Sequence, residues 1–565
     1  MTAPDSYPRG VPISIKYPVM PVYEFWRNSA RKFPDREAVI YLDATFSYSE
    51  LWDQTECFAA NLMGLGVGKG DRVAVLLPNT PQFLIAYNAI LLCGATVVAV
   101  NPLQSTEEIG RQIEVTGSKF LIIIDRLLNR LPETYPELIV AEVAYYAPSR
   151  LRYLSRLKYR IKRPKSSYRF EDLTHGAKLT EYPKISPEED VAVVLFTSGT
   201  TGQPKGVMLT HYGQVVNALQ SYHWLRGWGY SAKPQPAGYP IILCAMPFFH
   251  SYGLVVMNEA VSFGCTMALI PNPTPIDLMK VTQKHKVTHF PLIPRLIRGV
   301  VEHPKIHKYD LTSLTTCSSG GAHIPVPLMR DFEKISKARM YQGYGLTEAG
   351  PIVAATPVEG DPVYESTGLP YPDTIIRIVD LQLGEIEQPP DKEGELIIKG
   401  PQLMKGYLDD PEATSNAIKD GWLYTGDIGF FDENGYLFIV GRKNERIVAA
   451  GHTVWPTIVE DILTSDIDVE QAIAFGVPDP LRCSTDIRAI VVPRQGITAS
   501  PELEKRLHDL CVEKLEEFEV PTKILFRQSL PVTLLGKVDR KKVLAEIDEM
   551  INKLMQGGEI PEDYS

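Results

Sequence analysis

The sequence predicts an α/β protein: a large N-terminal domain of parallel or mixed sheets covered by helices, followed by a small α+β C-terminal domain. Three observations carry this. Residues 20 to 125 alternate strand-like and helix-like patterns, the β-α-β rhythm that favours a parallel sheet with covering helices. The apolar run Val191–Phe196, read as a buried strand, feeds straight into the Gly/Ser/Thr-rich stretch 197-TSGTTGQPKG-206. After 439-IVGRKNER-446 the rhythm changes to short strands around one helical stretch, a separate unit of ordinary domain size. The boundary is placed between 441 and 442, giving domains 1–441 and 442–565.

Taken in order, Val73–Leu77 is strand-like, Pro81–Leu92 has helical spacing, and Thr96–Val100 and Lys119–Ile124 are further short apolar runs. The longest apolar run, 89-AILLCGATVVAV-100, is broken by Gly94 and too short to span a bilayer, so it reads as a helix end, a turn and a buried strand. The segment 149-SRLRYLSRLKYRIKRPK-165 differs from its surroundings. Arg150, Arg152, Arg156, Lys158, Arg160, Lys162, Arg163 and Lys165 occur with no acidic residue, and Leu151, Leu154, Leu157 and Ile161 recur at near-helical spacing. That is a basic amphipathic helix, open to two readings: contact with an anionic lipid surface, or a solvated helix packed by its leucines. In the C-terminal domain Ala472–Phe475, Ala489–Val492 and Lys523–Phe526 read as strands and Pro501 to about Phe518 as a helix. The polar tail after Gln556 is expected to fray.

Composition narrows the function classes. A chain of 565 residues, 44% hydrophobic and 22% charged, can bury a large core. The net charge of -10 argues against generic nucleic-acid binding. Seven scattered cysteines without a Cys-x-x-Cys pair support neither a disulfide framework nor a cysteine zinc site, so a reducing cytoplasm is expected. The N-terminal stretch has no apolar core of a secretory signal.

Several stretches carry chemistry. In 197-TSGTTGQPKG-206, Gly199, Gly202 and Gly206 allow close backbone approach, Thr197, Ser198, Thr200 and Thr201 offer hydroxyls, and Lys205 adds a mobile cation. This suits nucleotide phosphates, although it lacks the Gly-Lys-Ser/Thr triplet of the Walker pattern. In 343-GYGLTEAGP-351, Tyr344 offers a flat face for a purine, Thr347 a hydroxyl near phosphate, and Glu348 an oxygen ligand for Mg²⁺. The glycines of 318-SSGGAHIP-325 let backbone approach a ligand. In 421-GWLYTGDIG-429, Asp427 can accept hydrogen bonds from both hydroxyls of a ribose. Lys537 follows Gly536 on an exposed turn of 530-LPVTLLGKVDR-540, and 247-PFFHSYGL-254 offers an uncharged, largely apolar wall.

These motifs, in this order, resemble the adenylate-forming superfamily: acyl-CoA synthetases, luciferases, aryl-CoA ligases and peptide-synthetase adenylation domains. The resemblance runs from about Tyr23 to about Leu544. It implies that the 197–206 stretch is the phosphate loop, that Tyr344 packs on adenine, and that Glu348 holds the metal with Thr197. It implies that 318–325 lines the adenine and the acyl carboxylate, that Arg442 joins Asp427 at the ribose, and that Lys537 offsets negative charge as the α-phosphate is attacked. The resemblance also implies that the helix start within 247–254 borders the acyl pocket, and the uncharged side chains there suit an acid without an α-amine. The small domain is implied to be mobile, bringing Lys537 in for the first step and the 448-VAAGH-452 loop for the second.

The implied candidate residues are therefore Lys537, Glu348, Thr347 and Lys205 for catalysis. For ATP or AMP they are Thr197, Ser198, Gly199, Thr200, Thr201, Gly202, Gly321, Ala322, Tyr344, Gly345, Asp427 and Arg442. His250, Ser251, Tyr252 and Gly320 border the acyl pocket, Thr197 and Glu348 are the metal ligands, and Asn444 is the hinge. The chain departs from the family pattern at Asn444, where Asp or Lys is usual, at Val448, at Cys483-Ser484 in place of Gly-Glu, at Glu519 before Val520-Pro521, and at His323, where Pro is common. The expected activity is that of a fatty acyl-CoA synthetase using Mg²⁺, with ATP and CoA as co-substrates. The alternatives are an acyl-AMP ligase loading a carrier protein, an aryl-CoA ligase, and a non-catalytic acyl- or nucleotide-binding protein. Both a monomer and a homodimer remain open, as does peripheral membrane contact through 149–165.

Overall fold

In a computed structural model, the described residues are 6–159, 162–197, 204–226, 239–449, 452–479, 484–532 and 538–555. The chain divides into a larger unit, Met1–Ile376 with Ile398–Tyr424 and Asn434–Tyr436, and a smaller one, Arg377–Ile397 with Thr425–Glu433 and Leu437–Ser565. The architecture is α/β, with mixed sheets and covering helices.

The larger unit holds two mixed sheets. One has eight strands, in the order Gly406–Tyr407, Lys205–Thr210, Val191–Thr197, Thr96–Ala99, Arg72–Leu76, Phe120–Ile124, Glu137–Ala141 and Tyr168–Arg169. The first two pairings are antiparallel and the rest parallel. Its interior strands bury nearly every side chain, as a sheet covered on both faces requires, and Ala74, Leu76, Val98, Leu121, Ile123 and Val194 share one core cluster. The run from Ala89 to Val100 resolves as predicted. Helix Pro81–Leu92 ends at Cys93, Gly94 turns the chain at φ 72°, and strand Thr96–Ala99 follows. Every residue of that helix is buried, which is why its sequence is apolar all round rather than amphipathic.

The other sheet has nine strands, in the order Leu369–Pro370, Ile352–Ala355, Arg339–Gly345, Thr316–Ser319, His289–Leu292, Ile241–Cys244, Thr266–Leu269, Glu37–Tyr41 and Ala44–Ser47. The strands from Arg339–Gly345 to Glu37–Tyr41 are parallel; the outer ones are antiparallel. Helices His211–Arg226 and Ser251–Phe263 follow strands Lys205–Thr210 and Ile241–Cys244.

In the smaller unit, strands Val469–Asp479 and Ser484–Pro493 form a long antiparallel pair, with Lys523–Phe526 parallel to the second. Alternation sorts their side chains. Ala472 and Ala474 face Val459, Leu463, Leu507 and Cys511 of helices Pro456–Thr464 and Pro501–Lys514. Ile473 and Phe475 face Val543 and Ile547 of helix Arg540–Met555. That last helix has no counterpart in the sequence reading. Among the described residues, no helix is long and apolar enough to cross a membrane.

Candidate active site

A parallel sheet presents its loops at the carboxyl ends of its strands, and there the larger unit gathers its candidate residues. His250, Ser251 and Tyr252 follow strand Ile241–Cys244. Gly320–Ala322 follow Thr316–Ser319, and Tyr344–Glu348 sit at the end of Arg339–Gly345. In the eight-stranded sheet, Thr197 ends strand Val191–Thr197 and pairs across to Lys205. The connecting stretch, with Ser198, Gly199, Thr200, Thr201 and Gly202, lies outside the described residues.

Gly345 and Gly253 are among the backbone positions that leave no room for a side chain. A Cβ on Gly345 would lie 2.1 Å from the Pro351 carbonyl oxygen, so the chain carrying Tyr344, Thr347 and Glu348 is folded back tightly. A Cβ on Gly253 would lie 2.1 Å from the Pro247 oxygen, which seats the start of helix Ser251–Phe263 against the 247–250 turn. His250 caps that helix, its Nδ1 accepting the Tyr252 N–H at 3.2 Å. The ring thereby acts first as a cap.

Two hydroxyl contacts join these loops. Ser251 Oγ lies 3.2 Å from Thr347 Oγ1, and Tyr252 Oη lies 2.9 Å from Ser318 Oγ. The Tyr252 ring is in van der Waals reach of a side chain at position 320, so Gly320 leaves that face of the ring clear. Burial pushes the Tyr252 phenol well above its usual range, so it stays a neutral hydrogen-bonding group.

Glu348 is fixed from a third direction that the sequence reading did not anticipate. Tyr407 Oη donates to Glu348 Oε1 at 3.0 Å, and the Met404 N–H donates to the Glu348 carbonyl at 2.9 Å. Tyr407 stands on the short strand Gly406–Tyr407, opposite Val207 of the strand that begins with Lys205. The Lys205 ammonium lies 5.0 Å from the centroid of the Tyr407 ring, in cation–π range. Burial, with the Glu348 charge beside it, pushes the Tyr407 phenol up, so it remains a donor to the carboxylate. Lys205, Tyr407 and Glu348 thus form one chain of contacts. The only sequence signal for Tyr407 is an aromatic after Gly406, and nothing in its spacing points to Glu348.

Glu348 and Thr197 are both hard oxygen donors, the chemistry Mg²⁺ takes. Among the described residues no group of three or more His, Cys, Asp or Glu could hold a metal. This is compatible with Mg²⁺, which usually keeps waters and substrate phosphates and needs only one or two protein carboxylates.

The smaller unit brings Asp427 and Arg442 together. They are direct cross-strand partners in strands Trp422–Phe431 and Leu437–Arg442, with Arg442 Nε 2.8 Å from Asp427 Oδ1. Asp427 is only 4% exposed and also near the Thr425 hydroxyl, which accepts its N–H at 3.0 Å. A second ion pair, Lys443 Nζ to Glu395 Oε2 at 2.6 Å, lies alongside, and Glu395 also accepts the Gly426 N–H. Asn444 is exposed in the short helical turn Lys443–Glu445. Lys537 lies outside the described residues; the stretch holding it is flanked by the bridge between Val532 and Val538. Cys483 is outside them too.

Comparison with known proteins gives a consistent result. The family model for AMP-binding enzymes matches residues 26–408, and that for the AMP-binding enzyme C-terminal domain matches residues 458–537. The chain is 35% identical over 557 residues to a long-chain-fatty-acid–CoA ligase of Bacillus subtilis, covering 96% of this chain and 97% of that one. It is 31% identical over 562 residues to the ligase of the same name from Salmonella typhimurium, at 96% and 97% coverage. A 4-coumarate–CoA ligase of Arabidopsis thaliana is 31% identical over 554 residues, at 94% and 92%. Among solved structures, the anthranilate CoA ligase AuaEII with anthranoyl-AMP superposes with a TM-score of 0.81 at 21% identity, covering 94% and 98% of the two chains, a likeness of fold alone. The amide bond synthetase McbA from Marinactinospora thermotolerans gives a TM-score of 0.77 at 25% identity, covering 93% and 100%.

Proposed function

The chain belongs to the AMP-binding enzyme family, and from that premise we propose that it is an AMP-forming fatty acid–CoA ligase. The observation that carries the proposal is the 35% identity, over 96% of the chain, to a protein named long-chain-fatty-acid–CoA ligase. The buried Phe248 and the neutral Tyr252 and Gly320 beside the Ser251 helix start support an acid without an α-amine.

The reaction has two steps. A carboxylate oxygen attacks the α-phosphorus of ATP, forming the acyl-adenylate as pyrophosphate leaves. The sulfur of CoA then attacks the acyl carbon, its proton is lost, and AMP leaves with the bonding electrons. The protein's share is positioning and charge stabilisation. Thr197, Lys205 and the 198–202 stretch hold phosphate oxygens. Tyr344, Gly345, Gly321 and Ala322 hold the base, and Asp427 with Arg442 holds the ribose. Thr347, fixed by Ser251, donates near the reacting phosphate. Thr197 and Glu348 would hold Mg²⁺, which when bound neutralises triphosphate oxygens. Lys537 stabilises charge in the first step. The functional division at 441/442, with Asn444 as hinge and a mobile C-terminal domain, belongs to the same proposal, as does peripheral contact with an anionic membrane through 149–165.

A second reading, an aryl-CoA ligase, rests on the 31% identity to a 4-coumarate–CoA ligase. ATP–pyrophosphate exchange separates the two. Stimulation by long-chain acids and not by cinnamic acids supports the first reading; the reverse pattern replaces it with the second.

A further inference from the structure

The basic stretch singled out in the sequence forms the helix Ser149–Lys158, and none of its residues, all of them described, is buried. A ten-residue helix is marginal by itself in water, so something other than a core holds it. Its side chains show what. At helical spacing, Arg152, Ser155, Arg156 and Tyr159 share one face, and that face meets the protein. Arg156 makes a two-point pair with Glu142, Nε to Oε1 at 2.7 Å and Nη2 to Oε2 at 2.8 Å. Arg126 donates to Ser155 Oγ at 2.9 Å and stacks 3.3 Å over the Tyr159 ring. The polar face is thus the clamped one.

The apolar side chains point the other way. Leu151, Leu154 and Leu157 are 45%, 50% and 56% exposed, with Tyr153 beside them at 65%. An amphipathic helix on a globular protein ordinarily turns its leucines inward. This one is reversed: by helical spacing the exposed Arg150 and Lys158 fall on the same side as the leucines, and Lys162, Arg163 and Lys165 are exposed further along the chain. Arg160 and Ile161 lie outside the described residues.

The surface calls for a partner that is apolar at short depth and anionic at its face. A second copy of the chain would set these cations against one another. A nucleic-acid backbone offers the leucines no apolar partner. An anionic bilayer offers both, on a chain whose overall charge of -10 has the opposite sign to this patch. We infer that this helix docks on anionic lipid by inserting its Leu151–Leu154–Leu157 edge among the headgroups, while the Glu142 and Arg126 contacts keep its opposite face on the protein. The inference rests on the peripheral contact proposed above and specifies its mode: the leucine edge inserts, and the surrounding cations set the preference for anionic lipid.

The test uses the full chain and sedimentation with vesicles of phosphatidylcholine, with and without phosphatidylglycerol. The unaltered protein is expected to bind the anionic vesicles and release at high salt. Replacing Leu151, Leu154 and Leu157 by Ser, with every charge kept, should weaken partitioning about tenfold or more. Replacing Arg150, Lys158, Lys162 and Arg163 by Ser should weaken it about a thousandfold. A single Leu154→Trp variant should show a blue-shifted emission on anionic vesicles, which reads insertion without relying on loss of binding. Activity of both multiple variants toward a short, water-soluble acid should match the unaltered protein. No binding by the unaltered protein overturns the inference together with the peripheral contact. Binding unchanged by the Leu→Ser set, or no emission shift, overturns insertion and leaves an electrostatic contact. A dimer dispersed by the Leu→Ser set assigns the face to a second copy instead. Whether the chain activates long-chain acids at all is decided separately by the exchange assay, which needs no membrane.

Discussion

Glu348 and Tyr407 lie 59 residues apart, and their hydrogen bond is the contact at the site that residue-level reading could not supply. Glu348 stands out as a candidate because a lone carboxylate inside a Gly-rich motif has few structural duties. Asp427 and Arg442 were legible as separate motifs, and the antiparallel register that makes them direct partners appears only in the fold. Tyr407 depends on a two-residue strand placed by long-range pairing, so no local pattern marks it. A neutral phenol donating to the carboxylate proposed to hold Mg²⁺ orients it, and removing such a partner from a metal ligand typically costs about 10–100-fold in metal affinity or activity. Tyr407→Phe should therefore raise the Mg²⁺ concentration for half-maximal adenylation about tenfold, with the KM for the fatty acid unchanged. Glu348→Ala should do the same more severely, with excess Mg²⁺ restoring part of the rate. An unaltered Mg²⁺ dependence in Tyr407→Phe would show that the tyrosine does not position the carboxylate.

At the scale of elements, helix Ser251–Phe263 links the site to the interior. Its start carries His250, Ser251 and Tyr252, and two turns on it buries Glu259 at 6% exposure, with Ser221 Oγ of the helix His211–Arg226 donating to Oε2 at 2.8 Å. Burial raises the Glu259 carboxyl to about 7, while Tyr252, Tyr341, Tyr371, Cys244 and Cys265 around it are all raised and stay neutral. Between its usual value of 4.5 and about 7, the folded state holds a proton that the unfolded state has lost. Stability from this group therefore falls as pH rises through that window and levels off above it. Glu259→Gln has no such proton to lose. Its stability relative to the unaltered protein should rise by about 3 kcal/mol from pH 4.5 to pH 7 and then stay flat. Denaturant melts across pH check this; a constant difference would mean that Glu259 is ionised when folded. His211, lowered to about 4, slopes the other way between about 4 and 6.5, but is common to both proteins and cancels in the comparison. Elements written as continuous apolar runs bounded by turn residues, such as Pro81–Leu92 and Phe120–Ile124, were readable from the chain. Helix Arg540–Met555 was missed although Val543, Leu544, Ile547, Met550, Ile551 and Leu554 recur at helical spacing, and the fold buries Val543 and Ile547 against the strand pair. The basic helix was readable, but which of its faces the protein takes was not: the answer depends on Glu142 and Arg126, which belong to other elements.

At the scale of the whole molecule, the chain divides into two units, and the smaller one takes in Arg377–Ile397 and Thr425–Glu433 as well as the residues from Leu437 on, segments that the sequence reading with its boundary at 441/442 left in the larger domain as far as residue 441. Lys537 belongs to the smaller unit, and its proposed role is confined to the first half-reaction. One positioned cation of this kind is worth about 10²–10³ in rate. Lys537→Ala should therefore lose adenylation by about that factor, while converting supplied acyl-adenylate to acyl-CoA at close to the original rate. Equal losses in both half-reactions would remove the lysine from the adenylation step. The central claim, that this protein joins fatty acids to CoA, is tested most directly by measuring AMP and acyl-CoA formed from ATP across saturated acids of graded length, with and without CoA. The account predicts AMP and acyl-CoA in equal amounts, dependent on CoA and greatest with long-chain acids; adenylate formed from those acids but never passed to CoA, or no AMP released with any of them, would contradict it.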